Sequence, residues 1–343
     1  MSPTGRRRFL RATSALAALL AASTSLVVGA QQSSGRPYRI ALVPDFHPDW
    51  AKRYLKILTD ALGKSGRIEG RDYVIYRSGV SYGQNTKLAV DRAIEAKPDL
   101  MIVANQGYAI DVRKRTKTIP IVMWISGFPV AGGLAKSLAR PGMNVTGLTV
   151  YGGGEFFGKL LDLLHQAKPS AKRVGFFMSY VPPFHTRAET DLIIKAIRDA
   201  AEALGIDLRI FGIATSEQVD EALSWATAQA IEALVLTSDP PLYARRKEVM
   251  EFAVANRLLT IADAVPWYGA KPEPLLIYWA SPRLLLQQVA PLVERILWEG
   301  AKPGELPIQL PAKYRFKVNL KTAEAIGLSI PQRLLIQADE VIR

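Results

Sequence analysis

Short apolar runs separated by longer amphipathic stretches recur along most of this chain. Residues 100–104 and 120–124 are two such runs, and the segment between them has the pattern of a helix. Neither run alternates polar with apolar residues, which is typical of strands buried on both faces of a parallel sheet. Two such strands joined by a helix form a βαβ unit, so the pattern predicts a parallel sheet flanked by helices.

This pattern occurs in two successive rounds. Residues 97–104 (KPDLMIVA) and 230–237 (AIEALVLT) occupy equivalent places in them. The sequence therefore predicts an α/β protein with two lobes, each a parallel sheet with helices on its faces. We expect the first lobe to comprise residues 38–146 and 275–300, and the second to comprise 147–274 and 301–343. The tail from Tyr314 is expected to form a strand, a helix, a turn and a short helix.

Polar and aromatic residues follow many of the predicted strands. In open α/β sheets a ligand lies beyond the carboxyl ends of the strands. Aromatic rings there would stack on a flat or apolar ligand, and amide, hydroxyl and carboxylate groups would give directional hydrogen bonds. The alternative is that many of these rings pack in the cores. The candidate ligand-binding residues are Phe46, Gln106, Phe128, Tyr151, Tyr180, Ser238, Asp239 and Trp267.

The N-terminus has the pattern of an export signal. Basic residues 6–11 precede an Ala/Leu-rich segment, and Val28-Gly29-Ala30 places small residues where signal peptidase requires them. We expect residues 1–30 to be a signal peptide that is removed after Ala30, which sends the mature protein to the periplasm. The basic stretch reads RRRFLR and fits the twin-arginine pattern; an ordinary Sec signal is the alternative.

The net charge of +13 does not by itself indicate a nucleic-acid partner. Four of the arginines lie in the leader, which leaves 40 basic against 31 acidic residues in the mature chain. No uninterrupted block of five or more Lys and Arg residues follows the leader, so the pattern favours a basic surface over a nucleic-acid site. The absence of cysteine excludes disulfides, thiolate metal sites and a cysteine nucleophile.

No motif indicates an enzyme. Residues 153–159 match G-x-x-x-x-G-K, but Leu160 stands where a phosphate-binding loop needs Ser or Thr. The three histidines, His47, His165 and His185, are scattered without carboxylates at metal-ligand spacing. We therefore expect no catalytic residues, no metal and no cofactor.

The tail carries the most specific pattern. Residues 316–323 read FKVNLKTA, 326–331 read IGLSIP and 338–342 read ADEVI. Together with SLARPGMNVTG at 137–147, these segments resemble the ABC-transporter substrate-binding proteins, in the group that includes binders of tryptophan and other aromatic amino acids. The resemblance extends from about Tyr38 to the end of the chain.

The resemblance implies a type I periplasmic-binding-protein fold, in which a small molecule is enclosed between two lobes by hinge closure. The implied partners are that ligand and an inner-membrane ABC permease, with no nucleic acid, and a monomer is expected. Family members usually carry Gly-Asp-Pro-Val where this chain has Gly127-Phe128-Pro129-Val130. Because this acid is missing, the sequence does not identify the ligand. Asp239 and Asp45 are the other candidate acids at strand ends.

The same sequence features fit other functions. An exported module that senses a ligand for a membrane receptor would have the same sequence features. An enzyme on a double α/β scaffold is less consistent with them, because no nucleotide-binding loop is found. A repressor of the same fold would need a helix-turn-helix, and none precedes residue 38.

Overall fold

The computed structural model describes residues 35–43, 48–80, 85–179, 186–264, 267 and 270–343, with side chains omitted for 48–51. The first sheet is entirely parallel, with the order β2-β1-β3-β4-β5. Its strands are β1 (Tyr38–Val43), β2 (Tyr73–Arg77), β3 (Leu100–Val103), β4 (Ile121–Met123) and β5 (Val145–Gly147). Its helices are α1 (Pro48–Gly63), α2 (Thr86–Glu95) and α3 (Gln106–Arg115).

Helices cover both faces of this sheet, which explains the lack of polar alternation in its strands. Ile40 and Leu42 of β1 point towards α1 and towards α9 (Pro282–Leu297), where they meet Leu58 and Val289. The intervening residues of β1 face α2 and α3 on the opposite side of the sheet. The central strands β1, β3 and β4 are therefore buried on both faces, as the sequence pattern predicts, whereas the edge strand β2 is partly exposed.

The second sheet has the order β12-β11-β10-β9-β8-β6-β7. Its strands are β6 (Arg173–Met178), β7 (Asp207–Gly212), β8 (Ala233–Leu236), β9 (Leu259–Ala262), β10 (Leu276–Ala280), β11 (Tyr314–Asn319) and β12 (Glu340–Ile342). Five of them are mutually parallel, and the edge pair β11–β12 runs antiparallel to β10. Its helices are α4 (Glu155–Ala167), α5 (Arg187–Ala203), α6 (Val219–Ala228), α7 (Pro240–Ala244), α8 (Arg246–Ala255), α10 (Leu320–Ala325) and α11 (Gln332–Gln337).

The chain passes between the lobes three times. The first passage follows β5, where Gly147 has a φ of +135° and a Cβ would collide with the Met123 carbonyl. The second is at Ser281, between β10 in the second sheet and α9 against α1 in the first lobe. The third precedes β11, after Gln309 has paired with Leu148 beside the first lobe. Three passages give the fold two α/β lobes joined by crossing segments.

Two features of this arrangement differ from the sequence expectation. Within residues 275–300, expected in the first lobe, β10 pairs with β9 and β11 of the second sheet, and only α9 packs on the first. Residues 303–309, expected in the second lobe, lie along β5 of the first; for example, the Thr146 hydroxyl donates to the Leu306 carbonyl. The boundary between the lobes depends on which sheet each strand joins. The apolar sequence of a strand does not determine which other strand it pairs with.

The tail contains one strand more than expected. β12 pairs with β11 in parallel through Glu340, Val341 and Ile342, all of them half-buried. A three-residue strand that buries little apolar surface has no recognisable hydrophobic pattern. Among the described residues, none of the helices combines the length and apolarity needed to span a membrane.

Candidate functional site

Gln106, which follows β3, forms hydrogen bonds to the loop after β4. It lies at the start of α3, directly after the N-cap Asn105, whose side chain accepts from the Tyr108 amide at 3.1 Å. The Gln106 Oε1 accepts from the Ser126 hydroxyl at 2.8 Å and from the Phe128 amide at 2.9 Å. The loops after β3 and β4 are therefore held as one surface at the carboxyl edge of the sheet.

The other end of the Gln106 carboxamide reaches the second lobe. Its Nε2 donates to Oε1 of Glu189, near the start of α5. Glu189 is only 3% exposed. Its second oxygen accepts from the Thr186 amide at 2.7 Å, in a capping box that also includes a bond from the Glu189 amide to the Thr186 hydroxyl. Glu189 is therefore fixed by its own helix when it contacts the first lobe.

Two buried carboxylates lie at the facing edge of the second lobe. Asp239 follows β8, is 8% exposed, and accepts from the Ser179 amide and the Thr237 hydroxyl, each at 2.7 Å. Asp263 follows β9, is 5% exposed, and accepts from the Ser238 hydroxyl at 2.6 Å. Buried carboxylates of this kind are held by hydrogen bonds to hydroxyl and amide donors.

Tyr151 connects the first crossing segment to these carboxylates. Its hydroxyl donates to Asp263 Oδ2 at 3.1 Å. Burial, followed by the charges of Asp263 and Asp239, holds the pKa of the Tyr151 hydroxyl well above its usual range. The phenol therefore stays protonated and remains a hydrogen-bond donor throughout the neutral range.

Aromatic rings form the apolar side of this region. Phe128 comes from the first lobe, yet it is 8% exposed and packs in the second-lobe core cluster. Its ring centroid lies 5.3 Å from that of Tyr151 and 6.5 Å from that of Phe157, the latter ring inclined by only 17°. Such geometry is favourable for aromatic pairs. A ring from the first lobe is thus inserted among rings of the second.

Two buried hydroxyls flank the loop between β6 and α5. Within the described part of the chain, Ser179 Oγ and Thr190 Oγ1 are buried without a hydrogen-bond partner. Ser179 is the residue whose amide binds Asp239, and Thr190 follows Glu189 in α5. A buried hydroxyl without a partner is costly, so these two groups could receive polar atoms of a ligand.

The structure brings five of the eight candidate residues into one connected region. Gln106 binds the Phe128 amide, Phe128 packs on Tyr151, and Tyr151 binds Asp263. Ser238 binds the same carboxylate, and Asp239 is its chain neighbour. Phe46 and Tyr180 lie outside the described residues, as do the leader and Asp45.

Trp267 has a different environment from the one expected of a ligand-contacting ring. Its side chain is fully buried in the second-lobe cluster that includes Phe177 and Leu236. Its indole N–H donates to the Thr237 carbonyl at 3.3 Å. Trp267 is therefore a core residue that packs against the end of β8. Complete burial is favourable for a large apolar ring.

Two residues of the region escaped sequence reasoning. Asp263 directly follows the apolar run 258–262 (LLTIA), so the rule that selected Asp239 could also have found it. Glu189 lies inside an amphipathic helix, where a charged residue is normally solvated. Only the tertiary contact with Gln106 distinguishes it. Among the described residues, no group of three or more His, Asp or Glu side chains could hold a metal ion.

The two lobes and the polar and aromatic residues between their strand ends are the arrangement of a two-lobed substrate-binding protein. A family model described as ABC transporter substrate binding protein matches residues 49–257. Because this match covers more than half of the chain, the protein belongs to that family. The family match confirms the resemblance noted in the sequence, and the family consists of solute-binding proteins rather than enzymes. Similarity to a solved structure of a substrate-binding protein confirms the predicted two-lobed α/β fold.

Individual relatives are consistent with this family. A protein named "Tyrosine-binding protein", from Clostridioides difficile (strain R20291), is 26% identical over 300 residues, covering 86% of this chain and 83% of the relative. The solved structure of an ABC domain in complex with L-Trp, from Streptococcus pneumonia, matches with a TM-score of 0.76 at 18% identity over 90% of this chain and 100% of that one. A conserved domain protein from Vibrio cholerae also has a TM-score of 0.76, at 22% identity over 89% of this chain and 100% of that one.

Proposed function

We propose that this protein is the periplasmic component of an ABC importer and that it encloses a small amino-acid-like ligand, with an aromatic or flat portion, between its lobes. The observation that carries the proposal is the meeting of the Asp239 and Asp263 carboxylates with the Phe128–Tyr151 ring pair at the facing strand ends. The carboxylates suit an ammonium group, and the rings suit an apolar or aromatic body. The names of the tyrosine-binding and L-Trp-bound relatives support the same ligand class.

Binding and closure are the whole of the proposed mechanism. A ligand that contacts Phe128 of the first lobe and Asp263 of the second stabilises the arrangement in which both are near it. The permease would then recognise this closed form, and the energy for transport would come from its ATPase.

A thermal-shift screen of amino acids, aromatic acids and purines tests the ligand class, because a cleft ligand raises the melting temperature by mass action. L-Tyrosine or L-tryptophan is expected to give a positive shift, and calorimetry is expected to show one site. Asp263→Asn and Phe128→Ala should each weaken that binding by at least ~1 kcal/mol, through a lost charged contact and lost ring packing. Unchanged calorimetric affinity in both variants would refute the proposed site.

Export is proposed from the leader, which lies outside the described residues. Replacing Arg6 and Arg7 with Lys should stop accumulation in the periplasm if the twin-arginine route is used. A normal periplasmic yield of this variant, measured by fractionation and immunoblot, would point to the Sec route instead.

A further inference from the structure

Gln106 and Glu189 form a direct polar contact between the lobes. The Oε1 atom of Gln106 is already engaged by Ser126 and by the Phe128 amide, so the carboxamide cannot rotate freely. This orientation directs Nε2 towards the buried carboxylate of Glu189. On the opposite side of the contact, the Thr186 amide holds the second oxygen of Glu189 at 2.7 Å. Both partners are therefore fixed by their own lobes before they meet.

Gly132 provides the space for this pair. A Cβ at position 132 would collide with Gln106 Nε2 and would lie 3.2 Å from Glu189 Oε1. The φ of Gly132 is outside the left-handed region, so its backbone conformation is open to any L-residue. A side chain at position 132 would therefore displace the Gln106 carboxamide from its place beside Glu189.

We propose that Gln106, Glu189 and Gly132 form a closure latch, a contact that favours the closed arrangement through the protein's own side chains. The idea rests on the proposed function only in assuming that ligand binds between the lobes. A protein whose closed form is more populated binds its ligand more tightly, because apparent affinity scales with the competent fraction. The latch thus raises the ligand affinity by raising the population of the closed form.

Isosteric exchange of donor and acceptor gives the sharpest test. Gln106→Glu keeps the acceptor used by Ser126 and Phe128 but replaces the donating nitrogen with oxygen, which faces Glu189 as a like charge. Adding Glu189→Gln restores the bond in the reverse direction, and the remaining oxygen still accepts from the Thr186 amide. The single Gln106→Glu variant should lose the latch, and the double variant should regain it.

Gly132→Ala tests the same contact without changing any charge. The new methyl group should displace the Gln106 side chain and break its bond to Glu189. Gly63→Ala is the matched control, because a Cβ at position 63 meets nothing within 4 Å. If Gly132→Ala fails to fold, the donor–acceptor exchange still decides the question.

The lobe separation is measured without ligand by electron–electron resonance between spin labels. The chain has no cysteine, so Lys56→Cys on α1 and Lys195→Cys on α5 give two unique exposed sites, one on each lobe. Gln106→Glu and Gly132→Ala should each change the distribution of label-to-label distances relative to that of the parent protein. The double exchange and Gly63→Ala should retain that distribution. The latch is refuted if all the variants share the distribution of the parent, or if the double variant is no closer to it than Gln106→Glu.

Calorimetry with L-tryptophan and L-tyrosine separates the latch from the ligand assignment. Each latch-breaking variant should bind the probe about tenfold more weakly, with recovery in the double variant. If neither amino acid binds but the distances respond as expected, the latch stands and the proposed ligand is wrong. If binding is normal in every variant and the distances do not change, the ligand stands and the latch is wrong.

Discussion

Asp263 shows how one residue joins separate parts of the site. Its two oxygens accept from Ser238, on the same lobe, and from Tyr151, on the crossing segment. A carboxylate in this position can also accept hydrogen bonds from a cationic group of a ligand. Its position directly after β9 is also the position from which a parallel sheet presents side chains to a ligand.

The raised pKa of Tyr151 can be checked by titration of tyrosinate absorbance. Burial and the Asp263 charge favour the protonated phenol in the folded state. The resulting stability is complete below the pKa of an unfolded tyrosine, about 10, and is lost as the pH rises above it. Tyr73 and Tyr314, whose pKa values burial raises to about 12, should behave similarly.

Tyr151→Phe should therefore leave unchanged the number of tyrosines that titrate below pH ~10.5 and remove one that titrates later. Loss of one tyrosine from the early group would show that the Tyr151 phenol ionises normally and that its bond to Asp263 does not form.

At the residue scale, sequence reasoning succeeded where a residue's place in the chain determines its place in space. Asp239 and Gln106 follow strands, and the sheet geometry alone brings them to the facing edge. Trp267 also follows a strand, but its ring turns inward beneath Thr237. The direction of a loop side chain depends on the surrounding packing, which residue order does not encode.

Among the elements, the tail strand β11 accounts for part of the family signature. Lys317 in FKVN is 2% exposed, and its Nζ lies 2.7 Å from Glu273 Oε2 and 3.4 Å from Glu340 Oε1. Glu273 precedes β10 and Glu340 begins β12, so the ammonium group links three parts of the second sheet. The buried charge of Lys317 is tolerated within an apolar strand because it is paired with the Glu273 and Glu340 carboxylates.

Lys317→Met should lower the free energy of unfolding by ~1–2 kcal/mol, because the aliphatic stem is kept while two carboxylates lose their buried partner. The carboxylates are partly exposed, which limits the loss. Glu340→Gln, at the longer and more exposed contact, should cost less than ~0.5 kcal/mol. Urea denaturation measures both, and a Lys317→Met protein as stable as the parent would show that the ammonium contributes nothing.

Prediction of the elements was most accurate where burial is complete. The apolar runs 100–104 and 120–124 located β3 and β4, because both faces of each strand are covered. The strand β12 was not predicted, because its residues are only half-buried and give no apolar run. The sheet to which β10 belongs could not be predicted, since its apolar residues would be equally well buried in either lobe.

For the whole molecule, the doubled pattern was sufficient to predict two α/β lobes, and the observed sheets and the family match agree. The contacts that hold the lobes together could not be anticipated, because the hydrogen bond from Gln106 to Glu189 joins residues 83 positions apart, and the partners of the Phe128 ring depend on packing that residue order does not encode.

The central claim is that a small ligand is enclosed by both lobes, and amide hydrogen exchange with and without saturating L-tyrosine or L-tryptophan tests it most directly. Enclosure of the ligand should slow exchange on both sides of the site: at residues 105–108 and 126–128 in the first lobe, and at 179, 237–239 and 263 in the second. Exchange far from the site, as in α6 and α8, should change little. Protection confined to one lobe, or none at these positions with either amino acid, would contradict the account.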